Sequence, residues 1–323
     1  MNSQTNNTHK IKANSQQINE MLEYYKGYLT YNASNYVIAR AKLTNATITF
    51  YQTNVVLFQG TNELEEYNKW AEKFGLEIEK PSNAPAINYQ DMTVVGSDEV
   101  GTGDYFGPIV VCATYVNEEN AKKLHQLGVK DSKLLTDKQM IPMALKIASI
   151  IPYSIIFLEP SRLNALTKKK DNLNFVKSYL HNKVINSILK KIGDVKCDAI
   201  LIDEFTPKEK YLEYLQDTKD VVENVTTIKQ GEKAHIAIAA ASVLARVAFL
   251  RELAKLSKQY ELELLKGAGP EVDRNAIVFV KSFGWDELEK VAKLKFANTE
   301  RIRNYFLKNP IPKSRQGHFY EKQ

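Results

Sequence analysis

The sequence predicts an α/β domain with a mixed sheet, preceded by a smaller α+β unit. Three observations predict it. Apolar runs at 93–98 and 107–116 follow one another with a glycine-rich turn between them, which makes them neighbouring strands. Further apolar runs at 152–158, 198–203 and 221–228 then alternate with stretches of helical periodicity, the mark of strand–helix units. Ahead of both, a helix–three strands–helix pattern ends in KPSNAPAINYQ at 80–90, which carries two prolines and no periodicity.

Taken in order, residues 1–14 are polar and read as a flexible leader. Ile18, Leu22 and Tyr25 fall at helical spacing within 16–29. Strands are predicted at 36–44, 46–53 and 55–59, separated by Asn45 and Asn54, which suit tight turns. Thr61 or Asn62 can cap a helix running to about 74, where Gly75 suits its end. In the second unit, helices are predicted at 118–127, 137–149, 173–192, 234–258, 272–282, 285–295 and 298–307. Lysines 168–170 read as a solvated loop. The resulting division is 1–84, a link at 85–91, 92–310, and a tail at 311–323.

The composition, 44% hydrophobic and 25% charged, is that of an ordinary globular protein, and the net charge of +6 mildly favours an anionic partner. Cys112 and Cys197 sit in or beside apolar runs, which predicts free thiols in a reducing compartment. The polar N-terminus has no signal-peptide core, and no apolar run approaches a membrane span. A cytoplasmic monomer with no membrane association is therefore expected.

The chemistry concentrates where strands end. The run at 93–95 leads into Asp98 and Glu99, and the run at 199–202 into Asp203 and Glu204. Ligands of open α/β sheets gather at the carboxyl ends of strands, so Asp98 and Asp203 meet if their strands are neighbours. Adjacent strand residues face opposite ways, so Asp98 and Glu99 share one site only if the chain bends there. Glu204 reads as a solvated neighbour. Glu232 precedes a small-residue run, AHIAIAAASVLA at 234–245. An acid there either joins the site or simply answers the helix dipole. Converging carboxylates need a cation, and oxygen donors suit Mg²⁺ or Mn²⁺. Two such ions about 4 Å apart can activate a water and stabilise a leaving oxygen in phosphodiester hydrolysis. Five histidines are present, but no HxxxH or HxH pair speaks for zinc. The turn Gly101-Thr102-Gly103 with Gly107 is spaced GxGxxxG and leads into a strand, so a dinucleotide fingerprint is excluded; no Walker sequence occurs.

At these residues the chain resembles the type 2 ribonucleases H. SDEVGTGDYFGP at 97–108 is similar to the signature of bacterial ribonuclease HIII, where ribonuclease HII usually has Gly-Arg-Gly in place of Gly101-Thr102-Gly103. VKDSKL at 129–134, the run at 199–203 and AAASVLAR at 239–246 agree with the same pattern. The first unit also resembles the TATA-binding-protein-like appendage of ribonuclease HIII. The resemblance implies a ribonuclease H-like mixed sheet with flanking helices. It also implies cleavage of the RNA strand of an RNA–DNA hybrid by two divalent ions, leaving 3′-hydroxyl and 5′-phosphate ends. Its metal-binding acids fall on Asp98, Glu99, Asp203 and Glu232, the last where the family often has Asp. Gly101, Thr102 and Gly103 match the loop that approaches RNA 2′-hydroxyls. Lys133 and Ser242 fall on positions expected near substrate phosphates.

Strand alternation adds a reading of the first unit. Val37, Ala39, Ala41 and Leu43 take one face; Tyr36, Ile38, Arg40 and Lys42 take the other. In the next strand Ile48 and Phe50 oppose Thr47, Thr49 and Tyr51. One face is apolar and the other basic, hydroxyl-bearing and aromatic, which suits a nucleic-acid backbone. Arg40, Lys42 and Tyr51 are its candidate contacts. An ordinary solvated face would carry the same pattern.

Overall fold

A computed structural model describes residues 8–31, 36–76, 87–130, 135–169 and 172–310. The chain divides into two compact units, Met1–Ala86 and Ile87–Gln323.

In the first unit, strands β1 (Thr8–Lys12), β2 (Leu29–Thr30), β3 (Val37–Lys42), β4 (Ala46–Tyr51) and β5 (Val55–Gly60) form an antiparallel sheet ordered β1-β5-β4-β3-β2. Helices α1 (Ser15–Tyr24) and α2 (Glu63–Lys73) bring Ile18, Met21 and Trp70 onto Ala39, Ala41, Ile48, Phe50 and Phe58 in one buried cluster. Asn14 starts α1 with a reciprocal cap: its Oδ1 accepts from Gln17 N–H at 2.9 Å, and Gln17 Oε1 accepts from Asn14 N–H at 2.8 Å.

Two expectations for this unit are corrected. Residues 8–12 are an edge strand rather than part of a leader: alternation sends Ile11 into the core while Thr8, Lys10 and Lys12 stay exposed. The helix expected to reach residue 29 ends at Tyr24. A single 3₁₀ turn, Lys26–Tyr28, leads into β2, which pairs with β3.

The second unit holds β6 (Val94–Val100), β7 (Ile109–Val116), β8 (Tyr153–Leu158), β9 (Ala199–Asp203) and β10 (Thr226–Ile228), ordered β10-β9-β6-β7-β8. The β6–β7 and β7–β8 pairs are antiparallel; β6–β9 and β9–β10 are parallel. The sheet is mixed, as the sequence predicts. Helices α3 (Glu118–Gln126), α4 (Asp137–Ile150), α9 (Ile236–Gln259), α10 (Pro270–Val291) and α11 (Ala297–Lys308) enclose a core that includes Val94, Val110, Cys112 and Leu201. Helices α5 (Pro160–Lys169), α6 (Leu173–Ile192) and α7 (Lys208–Leu215) help enclose another with Val95, Val111, Ile200 and Ile202. The odd–even division along each strand gives the sheet two buried faces.

α9 lies very close to β6. A Cβ on Gly96 would stand 2.6 Å from Ile238 N, so only glycine permits this approach. Thr114 Oγ1 donates to Ala237 O at 2.8 Å and fixes the same contact. α5 and α7 were not predicted; α5 begins at Pro160 and α7 follows Pro207, and prolines read as breakers in sequence but suit a helix start. Lys168 is therefore on a helix, with Nζ 2.9 Å from Glu289 Oε1, and not in a solvated loop. The two helices expected at 272–282 and 285–295 form α10, kinked at Gly284, whose φ of 85° breaks the helical path. A four-residue helix, α8 (Gly231–Ala234), precedes α9.

Candidate active site

β6 reaches past its parallel neighbour. Its last partner on β9 is the pair Ser97↔Ile202, so the next row sets Asp98 beside Asp203 at two carboxyl ends on one sheet face. β6 does not bend at the acids; it continues through Glu99 to Val100. Asp98 consequently faces the α9 layer and Glu99 the α6 layer, and the two carboxylates are still close enough for the charge of Glu99 to act on Asp98.

Asp98 is 6% exposed. Its Oδ1 accepts from Glu99 N–H at 2.7 Å, and the Ser242 hydroxyl of α9 donates to the same carboxyl group. Burial first, then the charges of Glu99 and Asp203, push its pKa up to about 8, against the pull of those hydrogen bonds. Asp203 Oδ1 accepts from Gly231 N–H at 2.7 Å, which ties the end of β9 to the start of α8. Glu232 is the next residue; its side chain borders a shallow recess with His125, Lys130 and His235. Lys133 lies outside the described residues.

Glu99 has partners that the sequence reading missed. Lys177 Nζ lies 2.5 Å from its Oε1, and His181 Nε2 lies 2.8 Å from its Oε2. Lys177 and His181 are one turn apart on α6 and both are buried. His181 Nδ1 is 2.8 Å from Ser97 Oγ, which itself lies 3.0 Å from Cys112 O. An ionised carboxylate can only accept, so Nε2 is the donor in the His181–Glu99 pair. Phe205, two residues beyond Asp203, stacks on His181 with centroids 5.1 Å apart, and Lys177 Nζ sits 4.2 Å from the same ring. Burial raises the Glu99 pKa, but His181 and Lys177 outweigh it and hold the group below the usual carboxylate range. The signal in the sequence is slight: a Lys and a His four apart flanking the apolar stripe Val176, Leu180, Val184.

The glycine turn is bound to the C-terminal helices. Gly101, at φ 94°, has room for no Cβ, which would stand 2.2 Å from Pro108 O. Thr102 is half-buried and Gly103 exposed at the tip. Tyr105 N–H donates to Gly267 O at 2.8 Å, and Gly267 N–H donates back to Asp104 Oδ1 at 2.6 Å. Gly107 N–H donates to Val291 O at 2.9 Å. Lys293 Nζ donates to Phe106 O at 3.2 Å and to Gly107 O at 2.5 Å. Burial lowers the Lys293 pKa to about 7, with Asp104 pulling the other way.

The donors at the strand ends are carboxylate oxygens, and the mutual repulsion that raises Asp98 is what a hard cation relieves. The residue types thus fit divalent ions. As the side chains stand, no three His, Cys, Asp or Glu groups among the described residues are gathered closely enough to hold one. Glu99 is engaged by Lys177 and His181 instead.

In the first unit, strand register assembles one open face. Across the strands, Lys10, Leu57, Thr49, Arg40 and Thr30 form one row, and Thr8, Gln59, Thr47 and Lys42 the next. Arg40 and Lys42 lie on the face predicted for them. Tyr51, half-exposed, shares it through the alternation of β4, whereas Thr49 is 2% exposed. Lys10 and Lys12 were missed because their strand was. The Nε of Arg40 is buried without a hydrogen-bond partner among the described residues.

A mixed five-stranded sheet between helical layers, with acids closing two adjacent strands, is the architecture of the ribonuclease H-like nucleases. A family model described as Ribonuclease HII matches residues 95–299, and a model for a domain of unknown function matches 8–83. The ribonuclease HIII of Bacillus cereus strain AH187 is 39% identical over 299 residues, spanning 90% of this chain and 96% of that protein. The crystal structure of Bst-RNase HIII in complex with Mn²⁺ superposes with a TM-score of 0.67 at 34% identity, covering 93% of this chain and 99% of that one. The ribonuclease H2 of Pyrococcus horikoshii OT3, 24% identical with a TM-score of 0.56, covers 68% of this chain and 100% of its own and shares the fold. The chain belongs to the ribonuclease HIII family.

Proposed function

We propose that this ribonuclease H is an endonuclease that hydrolyses the RNA strand of an RNA–DNA hybrid with two divalent ions, Mg²⁺ or Mn²⁺. The products would carry 3′-hydroxyl and 5′-phosphate ends. The observation that carries the reading is Asp98 set beside Asp203 at the ends of parallel strands, with the charge of Asp203 among the causes that raise the Asp98 pKa. When bound, such ions supply an activated water and charge stabilisation for the departing oxygen. Asp98, Glu99, Asp203 and Glu232 are the residues proposed to hold them. Ser242 orients the Asp98 carboxyl group. The turn at Gly101, Thr102 and Gly103 lets the RNA backbone approach closely enough for its 2′-hydroxyls to be read. Lys133 and Ser242 are proposed to lie near substrate phosphates. Lys10, Lys12, Arg40, Lys42 and Tyr51 present a basic, aromatic face to the hybrid backbone.

Cleavage of three labelled duplexes tests this reading: a full hybrid, a DNA duplex with one ribonucleotide, and all-DNA. Metal-dependent cutting of the hybrid is the expected result. Preference for the single ribonucleotide, or cutting of all-DNA, would overturn it. Removal of residues 1–84 should weaken hybrid binding more than it slows turnover at saturation. Unchanged affinity in a gel-shift titration would remove the first unit from the proposal. The protein is expected to act as a monomer. No described helix is long and apolar enough to cross a membrane.

A further inference from the structure

Both oxygens of Glu99 are engaged by basic side chains. The two partners differ in freedom. His181 is 0% exposed and wedged between Ser97 and Phe205, so it can hold its oxygen but has nowhere to go. Lys177 reaches Glu99 at the end of a flexible four-carbon stem, and its ammonium already lies 4.2 Å from the face of Phe205. An aromatic face offers a cation a second resting place.

A divalent ion binds a carboxylate oxygen at about 2.1 Å. The Lys177 ammonium sits 2.5 Å from Oε1 while His181 holds Oε2, so an ion approaching Glu99 would meet the charge of the lysine. The two cations compete for one carboxylate, and their repulsion is twice that of two unit charges at the same separation. With side chains only 10% exposed, water screens this little.

We propose that Lys177 is a built-in counterion that competes with the divalent metal for Glu99 and so keeps the metal affinity of the free protein low. The inference rests on the proposed function. It gives the nucleic acid a part in loading: phosphate oxygens brought by the substrate add the negative charge that the ammonium offsets. Lys177 acts through Glu99 and is a positioning residue. The prediction runs against intuition, because removing a residue that merely supported the site would loosen the metal.

The test is calorimetric titration of Mn²⁺ into chelator-treated protein at fixed pH, without nucleic acid. Lys177→Met is expected to bind Mn²⁺ about tenfold tighter or more, and to cut hybrid at a correspondingly lower half-saturating Mn²⁺ concentration. Lys177→Gln, also neutral, should shift the same way and serves if the methionine variant misfolds. Lys177→Arg keeps the charge and should stay near the unsubstituted protein. Equal or weaker binding by the neutral variants overturns the inference. If hybrid cleavage needs no divalent ion, the two-metal reading fails first; if cleavage needs the ion and Lys177→Met binds Mn²⁺ no tighter than the unsubstituted protein, this inference alone fails.

Discussion

The two units use charge in opposite ways. In the second, a buried Asp98 and its half-buried neighbours Glu99 and Asp203 stand at strand ends, where both neighbours perturb Asp98 and two basic residues are committed to Glu99. In the first, Lys10, Lys12 and Lys42 stand exposed on an open face around the half-buried Arg40. Buried charges are strongly coupled, because little water intervenes; exposed charges act nearly independently and are screened by salt. The difference teaches where to look for chemistry and where for affinity. Single substitutions should be severe in one region and gradual in the other.

Asp98→Asn is the strongest test of that contrast. It should reduce cleavage roughly a thousandfold or more while leaving hybrid binding in place. The same variant should stabilise the metal-free protein at pH 8. The folded Asp98 holds its proton up to a pKa of about 8, whereas the unfolded chain releases it near the ordinary 3.8. The unfolded state is therefore favoured as pH rises across that window, and the loss is complete above it. Thermal scans with chelator present should show the Asn variant melting on the order of 5 °C higher at pH 8, with the gap closing toward pH 4. A gap that widens on acidification would refute the assignment.

Gly96→Ala should come next. Its Cβ would meet Ile238 N and Ala237 C at 2.6 and 2.7 Å, so β6 and α9 must part. A loss of about 3 kcal/mol in denaturant unfolding of the second unit is expected. Neutralising Lys10, Lys12, Arg40 and Lys42 together should weaken hybrid binding on the order of tenfold to a hundredfold at low salt. It should also flatten the salt dependence by roughly 0.9 per lost phosphate contact. Turnover at saturating hybrid should hardly move; a large fall there would break the division of labour. Tyr25→Phe should have the smallest effect. Tyr25 donates to Glu66 Oε2 at 2.5 Å and accepts from Trp70 Nε1–H at 2.7 Å, and losing both should cost the first unit about 1–2 kcal/mol. Chemical denaturation followed by fluorescence in a Trp285→Phe background, where Trp70 is the remaining tryptophan, measures it.

How far the sequence could be read depended on what each feature required of its residues. β6, β7 and β9 were legible because strands buried on both faces need unbroken apolar runs, and the acids stood out by ending them. β1 was not, because an edge strand with one covered face needs only Ile11, and a single apolar residue in a polar stretch leaves no period to detect. α5 and α7 were hidden by Pro160 and Pro207, which punctuate a sequence whether they end a helix or begin one. Asp98 and Asp203 could be paired through the rule for strand ends. Lys177 and His181 could not, since their role depends on α6 crossing the sheet above Glu99, a relation between residues about 80 apart that no local pattern records.

The turn after the acids has a consequence for how the enzyme is made. Its hydrogen bonds run forward to Gly267, Val291 and Lys293. On the ribosome, chains fold from the N-terminus as they emerge. The first unit can close early, and β6 can meet β9 once residue 203 has left the exit tunnel. The turn must wait for almost the last helix. A growing chain can thus bring Asp98 beside Asp203 well before it can fix the turn that follows them. The turn closes only after residues 267–293 have emerged.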